Sequence, residues 1–169
     1  MTRAAVASAD PVILYESRLL YQQKGPVPLD GPVEELGVAR LVREGEDLAM
    51  VTWGRYVGES VRAGELLAAD GISVAVLDLR WLDPLDEASI AAVVERTSRV
   101  LVVHEANVTG GFGAEVVDRI AGNSFEHLDA PPVRIGVPDV RVPAAPTLQA
   151  QLVPTSKRIA TVARVVLSQ

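Results

Sequence analysis

The chain has 169 residues, 49% of them hydrophobic and 22% charged, with 16 basic against 22 acidic side chains for a formal charge of −6. That length holds one ordinary core and is too short for two domains of typical size, while the acidic balance and an aromatic content of 4% exclude nucleic acid as a partner, since nothing offsets phosphate repulsion or stacks on bases. With no cysteine, disulfides, thiolate catalysis and sulfur-ligated metals are excluded as well, in keeping with a cytoplasmic protein.

The opening residues carry one Arg and an Ala7-Ser8-Ala9 that superficially looks like a signal-peptidase site. The apolar run before it is about four residues, short of the 7 or more that a signal peptide needs. No run approaches the roughly 18 to 20 apolar residues of a membrane span. PVILY at 11–15 is a short β-prone run. Residues 25–37 then hold three prolines and three glycines, which is linker chemistry, because proline removes a donor and fixes φ while glycine breaks both periodicities. An isolated strand ahead of a linker is expected to be the last strand of another unit.

After the linker, VARLVR at 38–43 alternates apolar and polar, Glu44-Gly45-Glu46-Asp47 turns the chain, and LAMVTW at 48–53 is mainly apolar. Two strands around so tight a turn predict a hairpin, and hence one antiparallel pair at a sheet edge. Residues 58–69 repeat at helical spacing with Val57, Val61, Gly64, Leu67 and Ala68 on one face, and Asp70-Gly71 ends the helix. ISVAVLDL at 72–79 is a strand apolar on both faces. Asp86 is placed to cap a helix whose buried stripe is Ile90, Val93 and Val94.

VLVVHEANVTGGFGAEVV at 100–117 then runs a buried strand into a His-Glu pair, a glycine turn and a helix, expected to run from 113 to 120 and to end at Gly122-Asn123. Residues 125–129 add a helical turn, 133–137 form the last strand, and a proline-rich loop leads to a terminal helix capped by Thr155 or Ser156, with Ile159, Val162, Ala163 and Val166 inward. The alternation predicts a three-layer α/β/α sandwich around a mixed, mostly parallel five-stranded sheet with one antiparallel edge strand.

Chemistry concentrates where strand becomes helix, at the sheet edge that usually carries sites in such folds. The exposed amides of Thr109-Gly110-Gly111-Phe112-Gly113 can bind an anion, or simply form a tight turn packing helix on strand; the spacing is neither G-x-G-x-x-G nor a Walker loop. His104 beside Glu105 can serve acid-base chemistry or be an ordinary hydrogen-bonded residue. With His127 the only other histidine, neither a Ser-His-Asp nor a metal-ligand spacing exists, so a self-contained hydrolase or zinc site is not expected. Asp78, Asp83, Asp86 and Asp139 read as caps or turn residues.

VHEANVTGGFGAEV, preceded by GISVAVLDLRWLDPLDEASI and followed by LDAPPVRIGVPDVRVP and VPTSKRI, closely resembles the carboxyl-terminal domain of the beta subunit of the decarboxylating component of 2-oxo acid dehydrogenase complexes, of branched-chain or pyruvate type. This is a member of the transketolase carboxyl-terminal domain group. The resemblance implies an oxidoreductase working with thiamine diphosphate and magnesium, both bound elsewhere in the full enzyme, so that no catalytic, cofactor-binding or metal residue is expected on this chain. Residues 1–37 would be the remnant strand and linker of a pyrimidine-binding domain, and 38–169 the transketolase-like domain. The isolated chain is expected to be inactive.

What the resemblance implies here is assembly: pairing around a two-fold axis, contact with an alpha subunit and the pyrimidine-binding domain, and a surface for the subunit-binding domain of an acyltransferase core. His104, Glu105, Thr109, Gly110, Gly111, Phe112, Gly113 and Glu115 fall on the inter-domain, active-site edge. Asp139 and Gln169 fall in the core-binding region, where the loop here lacks the aromatic usually found after the proline. The other expectations are a carboxyl-terminal domain of transketolase or deoxyxylulose phosphate synthase type, and an anion- or nucleotide-binding regulator using the glycine turn.

Overall fold

A computed structural model of the chain describes residues 1–26 and 30–169. Strands Arg40–Arg43 (β1), Leu48–Thr52 (β2), Val74–Asp78 (β3), Val100–Asn107 (β4) and Val133–Val137 (β5) form one sheet in the order β1-β3-β2-β4-β5. All neighbours are parallel except β1, which runs antiparallel to β3 at the edge. Helices Thr2–Ala7 (α1), Tyr56–Ala68 (α2), Glu87–Thr97 (α3), Gly113–Ser124 (α4), Pro146–Leu152 (α5) and Ser156–Leu167 (α6) complete the chain.

The sandwich follows from strand alternation. Leu48, Met50, Val74, Val76, Leu101 and Val103 face Ala63, Leu67, Ile159, Ala163 and Val166 of α2 and α6. Ala49, Val51, Ala75, Leu77, Val100 and Val102 face Ile90, Val93, Val94, Val116 and Ile120 of α3 and α4. Both faces being covered, β2 is buried along its whole length, and each aliphatic side chain taken from water there contributes about 1.5–3 kcal/mol. Asp86 caps α3 by accepting from the Ser89 amide at 3.0 Å, and Thr155 caps α6 by accepting from the Arg158 amide at 3.3 Å.

Several sequence expectations are corrected. The 38–53 segment is not a hairpin: β3 lies between β1 and β2. The 44–47 turn crosses the start of β3 instead, with the Glu46 and Asp47 amides donating to the Ser73 carbonyl and the Asp47 carboxylate accepting from the Ser73 amide at 2.6 Å. Gly45 permits the crossing, because a Cβ there would stand 2.6 Å from the Val74 carbonyl oxygen and closer still to its carbon. A fully buried β2 needs neighbours on both sides, and the half-exposed β1 suits an edge.

Residues 11–15 form no strand; Ile13 and Tyr15 are 78% and 87% exposed. A strand exists only by pairing, and among the described residues nothing pairs with this run. The buried face of α2 is turned by about one position, to Tyr56, Ser60, Ala63, Gly64 and Leu67, leaving Ala68 exposed. α4 continues through Gly122 to Ser124, a cost of about 1 kcal/mol for a mid-helix glycine that burial of Ile120 and Ser124 offsets. One of the loop prolines, Pro146, starts α5, since its fixed φ suits a first helical position.

Of the 25–37 linker, residues 27–29 lie outside the described residues. Its far end is pinned to the β3–α3 connection: Glu34 pairs with Arg80, the Ala39 amide donates to Asp86 at 2.8 Å, and Gly37 takes φ +75° against Pro84.

Candidate functional site

The carboxyl ends of β2, β4 and β5 bring the sequence-predicted residues to one sheet edge. Trp53 follows β2, His104 and Glu105 lie near the end of β4, and the 109–113 turn leads into α4. Because side chains alternate along a strand, His104 goes to the α4 face and Glu105 to the other, on the side of Tyr56, whose hydroxyl is pushed up to about 12 chiefly by burial, with the Glu105 charge contributing.

His104 is fully buried. Its ring stacks on Trp53 at 5.7 Å between centroids, and Trp53 meets Phe112 edge-on at 6.0 Å. Three glycines also crowd the ring. A Cβ on Gly113 would stand 2.6 Å from Nε2, one on Gly111 2.8 Å from Cε1, and one on Gly136 3.1 Å from both atoms. The glycines of TGGFG therefore make room for an imidazole, and Gly110, at φ +72°, turns the chain over it. Neither ring nitrogen has a hydrogen-bond partner among the described residues. Burial, assisted by the Arg134 charge, holds the ring below the usual histidine range and so neutral.

The turn is tied down by Thr109, whose backbone N–H and hydroxyl donate to the Asp139 carboxylate at 3.0 and 2.5 Å. These bonds hold Asp139 below the ordinary carboxylate range. Asp139 and the turn, assigned from sequence to separate surfaces, thus form one rim. Gln169 is not part of it. It follows α6, whose end at Leu167 lines a cleft with Glu46, Asp47 and Arg99 beside the opposite, amino-terminal ends of the strands.

An open cleft of about 880 Å³ separates the turn from the β3–α3 connection, lined by Leu82, Pro84, Gly111, Phe112, Glu115 and Arg119 among others. Arg119 spans it, donating to Glu115 at 2.8 Å and pairing with Glu87. Carboxylates on both walls oppose a diphosphate, and no group of three or more His, Cys, Asp or Glu among the described residues is placed to hold a metal ion. The donor set here does not fit thiamine diphosphate with magnesium.

Three residues escaped the sequence reading. Trp53 carried the signal of a lone aromatic at a strand end, and Gly136 that of a glycine inside a strand, which marks close backbone approach. Asp78, read as a turn residue, is a half-buried carboxyl pushed up to about 6 by burial while accepting from the Arg80 amide at 3.1 Å.

The family model described as "Transketolase, C-terminal domain" matches residues 37–159. The pyruvate dehydrogenase E1 component subunit beta of Bacillus subtilis (strain 168) is 39% identical over 165 residues, 97% of this chain and 50% of that protein. The 2-oxoisovalerate dehydrogenase subunit beta of the same organism is 38% identical over 151 residues, 88% of this chain and 46% of its own. The chain spans about half the length of the curated relatives it matches. A solved structure titled "Split gene transketolase, inactive beta4 tetramer" superposes with a TM-score of 0.71 at 26% identity, covering 80% of this chain and 44% of that one.

Proposed function

The chain belongs to the transketolase C-terminal domain family, and from that premise we propose that it serves as the carboxyl-terminal domain of the beta subunit of a thiamine-diphosphate-dependent 2-oxo acid dehydrogenase, an oxidoreductase of branched-chain or pyruvate type. One observation carries this reading. The match to the pyruvate dehydrogenase beta subunit takes in 97% of the chain, including much of residues 1–36 that the family model omits. Residues 1–37 are then the exit segment of a pyrimidine-binding domain, and the exposed run at 11–15, which pairs with nothing among the described residues, would become a strand only against a ladder in that domain.

In this reading thiamine diphosphate and its magnesium would be held by other domains and would supply the decarboxylation chemistry there. The chain's own residues do steric and positional work. The rim of Thr109 to Gly113 and Asp139 shapes the approach to the active site and meets a second copy of the domain, while the chain end near Gln169 receives the subunit-binding domain of the acyltransferase core. The assembly is a cytoplasmic one. Among the described residues no helix is long and apolar enough to cross a membrane.

Co-purification from the native cell is the test. A tagged chain is expected to bring down an alpha subunit and, in light scattering, to pair; recovery without any alpha subunit, as a monomer at high concentration, sinks the proposal. The split-transketolase likeness supports a second reading, a transketolase subunit. Ketol transfer between sugar phosphates by the recovered assembly, without decarboxylation of pyruvate or 3-methyl-2-oxobutanoate, selects it.

A further inference from the structure

We infer that His104 is an acid-operated latch on the 109–113 turn: when the ring gains a proton it leaves its cage and the turn opens, withdrawing the rim that the chain presents at this sheet edge. The opening stands on the geometry of this chain. Only its consequence for assembly rests on the beta-subunit reading.

Among the described residues the cage leaves both nitrogens of the neutral ring without partners, and protonation adds a second orphaned N–H together with a buried charge. A buried imidazolium needs a partner for each N–H, and among the described residues neither nitrogen has one. The charged groups on the elements packed against the ring are Glu105 on β4, Arg134 on β5, Asp139 beyond it, and Glu115, Asp118 and Arg119 on α4; β2 contributes the neutral Trp53. Arg134 acts on the ring and opposes the proton. Asp139 is engaged by Thr109, and Glu115 by Arg119. The positive end of the α4 dipole, at Gly113 against Nε2, opposes the proton too.

The walls also differ in strength. On the sheet side the ring is backed by Trp53 and by Gly136 of β5, whose flanking residues Ile135 and Val137 are buried. On the other side the turn is held by two exposed hydrogen bonds from Thr109 to Asp139 and by Phe112, which is only partly buried against the α3–α4 cluster. The β4–β5 register already shifts between Val103 and Asn107, beside the ring. A proton forced onto His104 therefore displaces the turn before it disrupts the sheet.

Amide hydrogen exchange of the full chain between pH 7.5 and 5, with NMR titration of the His104 ring, tests this. Protection of Thr109, Ala114 and Val116, all hydrogen-bonded at the turn, is expected to fall about tenfold one pH unit below the free histidine value of 6.5, as uptake of one proton on opening requires. Met50 and Val51 in β2 keep theirs. His104→Gln is expected to flatten the turn's response over the same range. The latch is overturned by turn protection that stays constant to pH 5, by β2 amides losing protection in step with the turn, or by a His104→Gln chain that keeps the wild-type response. Should that variant not fold, the wild-type titration alone decides. A flat profile leaves the beta-subunit reading standing, since co-purification is read at pH 7.5; absence of an alpha subunit likewise leaves the latch standing.

Discussion

Thr109 gives both its backbone N–H and its hydroxyl to the one carboxylate of Asp139, at 3.0 and 2.5 Å. Two loops thirty residues apart thereby move as one. Asp139→Ala is expected to speed exchange at the Ala114 and Val116 amides while leaving the urea midpoint nearly unchanged, because the pair is exposed. The sign with pH follows from the depressed carboxyl: its contribution is present above the free aspartate value of 3.8, and is lost as pH falls through its lower folded value. Exchange followed from pH 5 to pH 3 checks this.

Gly113→Ala puts a methyl 2.6 Å from Nε2 of His104 and is expected to cost about 1–3 kcal/mol in urea unfolding, the ordinary range of overpacking. Gly45→Ala meets the backbone of Val74 and Ala75, which has no rotamer to adopt. It is expected to cost more than Gly113→Ala in the same measurement.

Asp78→Asn is expected to stabilise the chain at pH 7. Burial raises the folded carboxyl to about 6 against a free value of 3.8, so the fold favours the protonated acid; that contribution is complete below 3.8 and lost as pH rises through about 6. After allowance for partial solvation, the neutral amide recovers about 1–2 kcal/mol at pH 7, and its oxygen can still accept from the Arg80 amide. Urea midpoints of the two proteins should differ at pH 7 and converge at pH 4.

Trp53→Ala removes the ring stacked on His104 at 5.7 Å. Water then reaches the imidazole, and its titration is expected to move up toward 6.5. Proton NMR of the His104 ring reads the shift directly.

Much of the sandwich was legible because its signals are local. β5 occupies the five residues expected of it, Asp86 and Thr155 cap as their positions imply, and the unbroken apolar runs of β2, β3 and β4 report two covered faces. Strand order is not local. The 44–47 turn has the composition of a hairpin, and only the close passage of Gly45 over Val74 shows that another strand lies between its arms.

The site divides the same way. That His104 and the glycine turn share an edge follows from a strand running into a helix. That three glycines exist to seat one imidazole, with Gly136 arriving from another strand, depends on contacts across β4, β5 and α4 that spacing does not encode. Asp139 meets Thr109 because two neighbouring parallel strands end together, whereas Gln169 is carried to the far end of the sheet by the direction of α6.

Among the described residues, two strands of the sheet have a neighbour on one side only, β1 at one margin and β5 at the other. An open ladder of this kind recruits foreign strands unless something blunts it. Here β1 is four residues long, begins and ends in Arg40 and Arg43, and breaks register between Leu41 and Arg43. β5 carries Arg134, whose guanidinium folds back onto the Val108 carbonyl at 2.6 Å. Short, kinked and cationic margins resist the edge-to-edge stacking that seeds aggregates, so neither end of the ladder invites a foreign strand to lengthen the sheet.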